Sequence, residues 1–259
     1  MRRRFFVDRF DSNSATLTGD AAEHLGRVLR AEPGQLYELS DGNSVWLGRV
    51  ERVALSKRGD NHIDFALVEH IPAREPWLHL NLLLSIVKFD RFEWCLEKAT
   101  ELGVTEIVPL AAAHTEKRLL EAAGKRQPRW EKILLESAQQ SRRLRPALLR
   151  SGGGGGTARK NAARNAAMRP AEAFAQSSGA LKIIFSERRD ARPLRDALKG
   201  ARGTSATLAI GPEGGWSDDE IAAARAAGFL EVSLGENILR TETAVLAALA
   251  ILRFALSTE

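Results

Sequence analysis

Two short segments of this 259-residue chain combine glycine, carboxylate and guanidinium groups in ways that could do chemistry. The first is Ile210-Gly211-Pro212-Glu213-Gly214-Gly215-Trp216-Ser217-Asp218-Asp219-Glu220. It follows the strand-like stretch that contains Leu208, and Ser217 with Glu220 three residues on marks a helix start as a capping box. Glycines at a strand-to-helix turn let backbone N–H groups approach a ligand closely, although the same pattern also serves a plain tight turn. The segment lacks the Gly-Lys-Ser/Thr of a Walker A loop and the Gly-x-Gly-x-x-Gly of dinucleotide folds. The second is Leu234-Gly235-Glu236-Asn237-Ile238-Leu239-Arg240-Thr241-Glu242-Thr243-Ala244, again between a strand and a helix. Here Thr241 reads as an N-cap, with Glu242 favoured by the helix dipole. Arg240 does not fit that bland reading: a guanidinium at the positive end of a helix costs energy unless an anion sits beside it.

Other chemistries find little support. The five histidines (24, 62, 70, 79 and 114) show no metal-ligand spacing, and Cys95 has no companion thiol, so no metal is expected. A single cysteine also excludes an internal disulfide framework and fits a reducing, cytoplasmic setting. The longest apolar run, Ala244 to Leu256, contains Arg253 and falls short of the roughly 20 residues that cross a bilayer. The start of the chain has no apolar stretch of signal-peptide length. Hydrophobic residues at 44% and charged residues at 27% predict a globular chain with no membrane partner.

The elements that must position these loops change character along the chain. Up to about residue 70, Leu36, Leu39, Val45, Leu47, Val50 and Val53 mark short strands, with Asp41-Gly42 as a hairpin turn and Ile63, Phe65 and Leu67 alternating in a half-buried strand. One helix interrupts them, with Asp20 and Glu23 as a capping box and Leu25, Val28 and Leu29 as its stripe. This pattern predicts a small β-barrel over 1–72, followed by a Pro-bearing linker, Ile71 to Pro76. From 73 to 259 strands and helices alternate: Leu78–Val87, Ile107–Leu110, Leu181–Phe185, Thr207–Ile210 and Glu231–Leu234 as strands, helices from Phe92 to Leu102 and from Pro128 to Arg142, and a last Ala/Leu-rich helix after Thr243. That rhythm predicts an α/β domain with a parallel sheet and helices on both faces. Residues 151–168, with five consecutive glycines, break the rhythm and read as a flexible basic insertion.

Charge is concentrated as well. Between Ser137 and Ala171 there are eight Lys/Arg and no Asp/Glu, so the net charge of +5 comes from this one segment. Such a stretch favours a polyanion partner, because phosphates release counterions on meeting Lys/Arg; the alternative is a solvated loop that binds nothing.

Taken together, the two loops resemble the RsmE-like uracil-N3 ribosomal RNA methyltransferases of the SPOUT superfamily. Glu97-Lys98-Ala99-Thr100-Glu101-Leu102-Gly103-Val104, Gln140-Ser141-Arg142-Arg143, Arg3-Arg4-Phe5-Phe6 and His24-Leu25-Gly26-Arg27-Val28-Leu29-Arg30 add to the resemblance, which runs over nearly the whole chain. It departs at Lys88-Phe89-Asp90-Arg91, where the family has Lys-Gly-Asp-Arg, and at 151–168, where the family has a short linker. The resemblance implies a PUA-like RNA-binding β-barrel, a SPOUT domain with a trefoil knot, and a homodimer. It also implies S-adenosyl-L-methionine as cofactor and methylation of N3 of one uridine in 16S ribosomal RNA or the small subunit. Carried onto this chain, it places the cofactor among Leu208, Ile210, Gly211, Glu213, Gly214, Gly215, Leu234, Gly235, Ile238, Leu239, Thr241, Thr243 and Ala244. RNA contacts fall to Arg3, Arg4, Arg30, Arg91, Arg142, Arg143 and Arg145. Arg240 is the candidate for stabilising negative charge on the base, and Glu242 is either the general base, a helix cap or a support for Arg240. A ribose 2′-O-methyltransferase of the same superfamily and a non-catalytic RNA-binding protein are the rival readings.

Overall fold

Strand and helix signals recur along the chain because apolar residues recur with periods of two and about 3.6, and the fold sorts them into two compact units. The structure is a computed structural model and describes residues 3–56, 60–152 and 166–257. Most of the insertion expected at 151–168, with Arg159, Lys160 and Arg164, lies outside the described residues.

One unit comprises Met1–Glu75 together with Ala138–Pro146. Its strands are β1 (Arg4–Phe6), β2 (Ser14–Thr18), β3 (Leu36–Ser40), β4 (Val45–Ala54) and β5 (His62–Ile71). They form a mixed sheet in the order β1-β3-β4-β5-β2, with β1 parallel to β3 and the other pairs antiparallel. β1 and β2 lie at opposite edges, yet Phe5, Ala15 and Leu17 join Leu39, Val50, Ile63 and Phe65 in one core, which requires the sheet to curl. No ladder joins β1 to β2 among the described residues, so the predicted barrel is a half-barrel. The capping box expected at Asp20 does not form. Helix α1 (Gly19–Glu23) starts two residues earlier, because the Gly19 N–H extends the sheet ladder by donating to the Asn61 carbonyl, and it runs into a π-helical turn, His24–Val28. Glu23 pairs instead with Arg27, 3.2 Å away. The segment 138–146, distant in sequence, is tied in by Ser40 Oγ donating to the Leu144 carbonyl at 2.6 Å and by the burial of Leu144.

The other unit comprises Pro76–Ser137 and Ala147–Glu259. Seven strands, β6 (His79–Ser85), β7 (Val104–Leu110), β8 (Leu148–Leu149), β9 (Leu181–Phe185), β10 (Arg192–Pro193), β11 (Ser205–Ile210) and β12 (Leu230–Ser233), form a wholly parallel sheet in the order β10-β12-β9-β11-β6-β7-β8. Its helices are α2 (Phe89–Glu101), α3 (Lys117–Gln140), α4 (Pro170–Gln176), α5 (Leu194–Ala197), α6 (Asp218–Ala226) and α7 (Thr241–Leu256). The two faces of the sheet carry separate cores. Leu82, Leu84, Leu208 and Ile210 point to one core with Phe92, Leu96, Trp130, Val245 and Leu249. Leu83, Ala209 and Ile184 point to the other with Phe174, Trp216, Ile221 and Phe229. Side chains alternate across a strand, so strands apolar at every position need cover on both faces, as predicted.

Two boundaries differ from the sequence reading. α3 starts at Lys117 and carries Pro128 inside it. Ala123, Trp130 and Leu134 from both halves of this helix enter the core beside α2, with the Trp130 and Phe92 rings 4.7 Å apart, so packing overrides the local break that proline favours. The insertion also has defined ends. Leu148 and Leu149 pair with Glu106 and Ile107 of β7, and Met168 bridges to Leu110 on the same strand, its N–H and C=O bonded at 2.8 Å to the Pro109 carbonyl and the Ala111 N–H. The chain therefore leaves the line beside β7 after Leu149 and rejoins it at Met168. The insertion interrupts one edge strand, which is why the sheet around it is undisturbed.

Candidate active site

The C-terminal ends of β9, β11 and β12 open on a cavity of about 520 Å³. This is where open parallel sheets hold ligands, because the loops there diverge and leave a crevice. One wall is the loop 210–216 after β11, and a second is the loop 234–241 between β12 and α7. A third is the run Phe185-Ser186-Glu187-Arg188 after β9. The loops are tied to each other. Thr241 Oγ1 donates to the Gly211 carbonyl at 3.4 Å, and the Trp216 indole N–H donates to the Phe185 carbonyl at 2.9 Å.

Backbone conformation explains the glycines. Gly215 and Gly235 have φ of +71° and +133°, in the region that side chains avoid. At Gly214 the constraint is space, since a Cβ there would lie 2.9 Å from the Cβ of His114. His114 Nδ1 is 3.1 Å from the Gly215 carbonyl, which can only accept, so that nitrogen carries the proton. The capping box at Ser217 and Glu220 forms as the sequence predicts, and Glu220 also accepts the Ala113 N–H at 2.8 Å. The glycine turn is thus clamped from the loop after β7. These features fix the backbone of the turn at the cavity wall, and glycine there permits close approach of a ligand or of a neighbouring side chain.

Charged side chains complete the cavity. Arg240, the N-cap residue of α7, is exposed on its wall and forms no ion pair among the described residues. Thr241 makes no cap; it is the first residue of the helix, and its hydroxyl ties the loops together. Arg91, in the first turn of α2, also lines the cavity and is ion-paired with Glu213 of the glycine loop. Glu242 does not line the cavity. Its Oε1 is 3.9 Å from Arg91 Nε, and its buried Oε2 has no hydrogen-bond partner among the described residues. So Glu242 neither caps α7 nor supports Arg240; the guanidinium beside it is that of Arg91. Cys95, one helical turn beyond Arg91, is fully buried, and burial together with the nearby Glu242 charge pushes its thiol up to about 12. A thiol held protonated is no nucleophile.

Of the expected cofactor residues, Ile210, Gly211, Glu213, Gly214, Gly215, Leu234, Gly235, Ile238, Leu239, Thr241 and Ala244 line the cavity. Leu208 is buried inside β11, and Thr243 is exposed on α7 outside the lining. The sequence reading missed the wall after β9, although the rule that ligands sit beyond strand C-termini could have pointed to Ser186, Glu187 and Arg188. Of the expected RNA contacts, Arg3, Arg4, Arg30, Arg142, Arg143 and Arg145 belong to the half-barrel unit, whereas Arg91 is in the cavity. Arg4 is mostly buried, bonded to Glu38 at 2.8 and 3.1 Å and to the Arg142 carbonyl at 2.8 Å, and so it anchors the 142–145 segment. Arg142 has φ of +54° and lies 3.6 Å from Glu38; Arg145 pairs with Glu75. Arg3 contacts His24 at 3.3 Å, and Arg30 is exposed with φ of +53°.

Comparison with known proteins agrees with this architecture. Residues 74–253 match the model of the RNA methyltransferase domain family. The ribosomal RNA small subunit methyltransferase E of Synechocystis sp. is 32% identical over 244 residues, covering 92% of this chain and 72% of that protein. The protein of the same name from Mesomycoplasma hyopneumoniae is 30% identical, with 94% and 95% covered. The crystal structure of a ribosomal RNA small subunit methyltransferase E from Neisseria gonorrhoeae, bound to S-adenosyl methionine, superposes with a TM-score of 0.79 at 28% identity and covers 99% of this chain and 98% of that one. The glycine-walled cavity at the strand ends and these matches over nearly the full length lead to one conclusion: the chain belongs to the RNA methyltransferase domain family.

Proposed function

We propose that this protein methylates N3 of a uridine in small-subunit ribosomal RNA with S-adenosyl-L-methionine as methyl donor. The observation that carries this reading is the cavity at the ends of β9, β11 and β12, walled by the glycine-bearing loops 210–216 and 234–241 and by Arg240. Leu234, Ile238 and Leu239 supply apolar wall for a nucleoside, with Ile238 78% exposed. When bound, the cofactor supplies an electrophilic methyl group on a sulfonium.

The chain's own residues do the rest. The backbone of 210–216 and 234–241 holds the donor so that the target nitrogen can approach in line. The imide N3–H of uracil is neutral and a poor nucleophile, so the site must favour the anion. Arg240, at the N-terminal end of α7, places a cation and the positive end of a helix dipole where negative charge develops on a uracil oxygen. Reaching that position requires the base to leave its stack. The half-barrel unit, with Arg3, Arg30, Arg142, Arg143 and Arg145, is the PUA-like RNA-binding part of this reading, the bounds expected from the sequence pattern being 1–72 and 73–259.

The trefoil knot and the homodimer belong to the same proposal. Support for a dimer comes from α7, where Ala250, Ile251 and Phe254 are exposed at helical spacing, Phe254 by 85%. The reading requires the cytoplasm, where small ribosomal subunits are made. It is tested by S-adenosylmethionine calorimetry and by methyl transfer to small-subunit particles and naked RNA, with the product nucleoside identified by mass. Methyl on the ribose, or cofactor bound with no transfer to either substrate, would refute it.

A further inference from the structure

The inference rests on the function proposed above and concerns how the cavity reads and activates its base. The Watson–Crick edge of uracil presents carbonyl, N–H and carbonyl in a row. Its complement is donor, acceptor, donor. The cavity holds groups of that kind: the Arg91 guanidinium, the Glu213 carboxylate bonded to it, and Arg240 on the wall formed by 234–241. Arg91 belongs to neither loop motif. It comes from α2, and its guanidinium lies between Glu213, on the cavity side, and Glu242, outside the lining. The buried, unpartnered Oε2 of Glu242 and its 3.9 Å approach to Arg91 Nε leave this carboxylate one evident role, to hold the guanidinium in place.

We propose that Glu213 and Arg91 together recognise and deprotonate the uracil imide, and that Glu242 is the positioning residue for Arg91. Glu213 takes the N3 proton while Arg91 donates to the adjacent carbonyl oxygen, where the negative charge of the anion spreads. N3 keeps its electron pair for the new N–CH₃ bond, and the pair of the broken S–CH₃ bond stays on sulfur. The proton on Glu213 then passes to solvent, to which this side chain is 48% open. Cytosine fails the same test, since it has no N3 proton and presents an amino group in place of one of the two carbonyls that flank N3.

Methyl transfer to small-subunit particles, with S-adenosylmethionine affinity measured in parallel, tests each part. Glu213→Gln lowers kcat by about a hundredfold or more with cofactor affinity unchanged. Its kcat then climbs with pH as the imide ionises unaided, whereas the wild type reaches a plateau once the carboxylate is charged. A deficit that disappears at saturating cofactor overturns the assignment. Arg91→Ala lowers kcat and leaves the slope of log RNA affinity against log salt intact; a slope flatter by roughly 0.7 to 0.9 with normal kcat makes Arg91 a phosphate-binding residue and overturns it. Arg91→Lys, which keeps the charge and loses the planar fork, falls between the two. Glu242→Gln lowers kcat by about tenfold alone and by nothing further in the Arg91→Ala background, with the acid limb of the pH profile retained. Equal losses in both backgrounds, or loss of that limb, overturn the positioning role. Thermal melts of each variant separate these effects from unfolding. Wild-type product methylated on ribose refutes the proposed function and this inference together; an N3 product with all the variants fully active refutes the inference alone.

Discussion

Arg240 stands at a helix N-terminus and forms no ion pair among the described residues, in a place where a guanidinium is electrostatically unwelcome until an anion arrives. Arg240→Ala is therefore expected to cut turnover by about a hundredfold while S-adenosylmethionine affinity stays nearly constant, and normal turnover on ribosomal particles would refute the role. Gly214 is restricted by its close neighbour. Gly214→Val drives a side chain toward His114 and through it disturbs the His114–Gly215 hydrogen bond, so cofactor affinity should fall at least tenfold with the far-ultraviolet dichroism unchanged. Cys95 makes a prediction about pH. Its thiol ionises near 9 in the unfolded chain and is pushed up to about 12 in the fold, so the unfolded state binds fewer protons between these values. Its contribution to stability is complete below about 9 and is lost as pH rises toward about 12, a loss that Cys95→Ala should remove from a denaturation series. In the native protein the thiol should resist alkylating reagents at neutral pH.

At the scale of elements, α6 and the glycine loop are held by the same two residues. Ser217 accepts the Glu220 N–H at 3.3 Å, and Glu220 accepts the Ser217 N–H at 2.9 Å as well as the Ala113 N–H. Ser217→Ala should destabilise the fold by about 1 kcal/mol, a drop in Tm of about 2–4 °C. Glu220→Ala should cost more, because it also releases the clamp on the loop after β7. This box was legible in the sequence since both partners lie within one turn. The Asp20–Glu23 pattern was equally legible and did not form, because the Gly19 N–H pairs with the carbonyl of Asn61, just before β5, and starts α1 earlier. Pro128 misled in the same way, since the core around Trp130 carries α3 through it. Local signals held where the competing interactions were local too.

At the scale of the molecule, the basic residues at 142–145 join the half-barrel unit, where Arg4 bonds the Arg142 carbonyl and Ser40 bonds that of Leu144. Substituting Arg142, Arg143 and Arg145 together should weaken RNA binding at low salt and flatten the log-affinity against log-salt slope by roughly 0.7 to 0.9 for each phosphate that is no longer neutralised. An unchanged slope would remove this segment from the footprint. Partial neutralisation by Glu38 and Glu75 argues that the change in slope falls short of three phosphates.

The sequence by itself determined the alternation of strands and helices, the two glycine-bearing turns and the cap that starts α6. Each depends on residues within a few positions of one another, where periodicity and backbone preference act. It also located the charge excess, which is a matter of composition. Only the tertiary structure decided which groups share the cavity. Arg91 and Glu242 are 151 positions apart in the chain, and only the packing of α2 with α7 brings a guanidinium beside that carboxylate. The run after β9 became a wall because β9 lies between β12 and β11, an order that no local pattern encodes. Arg91 and the arginines of 142–145 look alike in one dimension; only the fold sets Arg91 at the cavity and the others in the half-barrel unit.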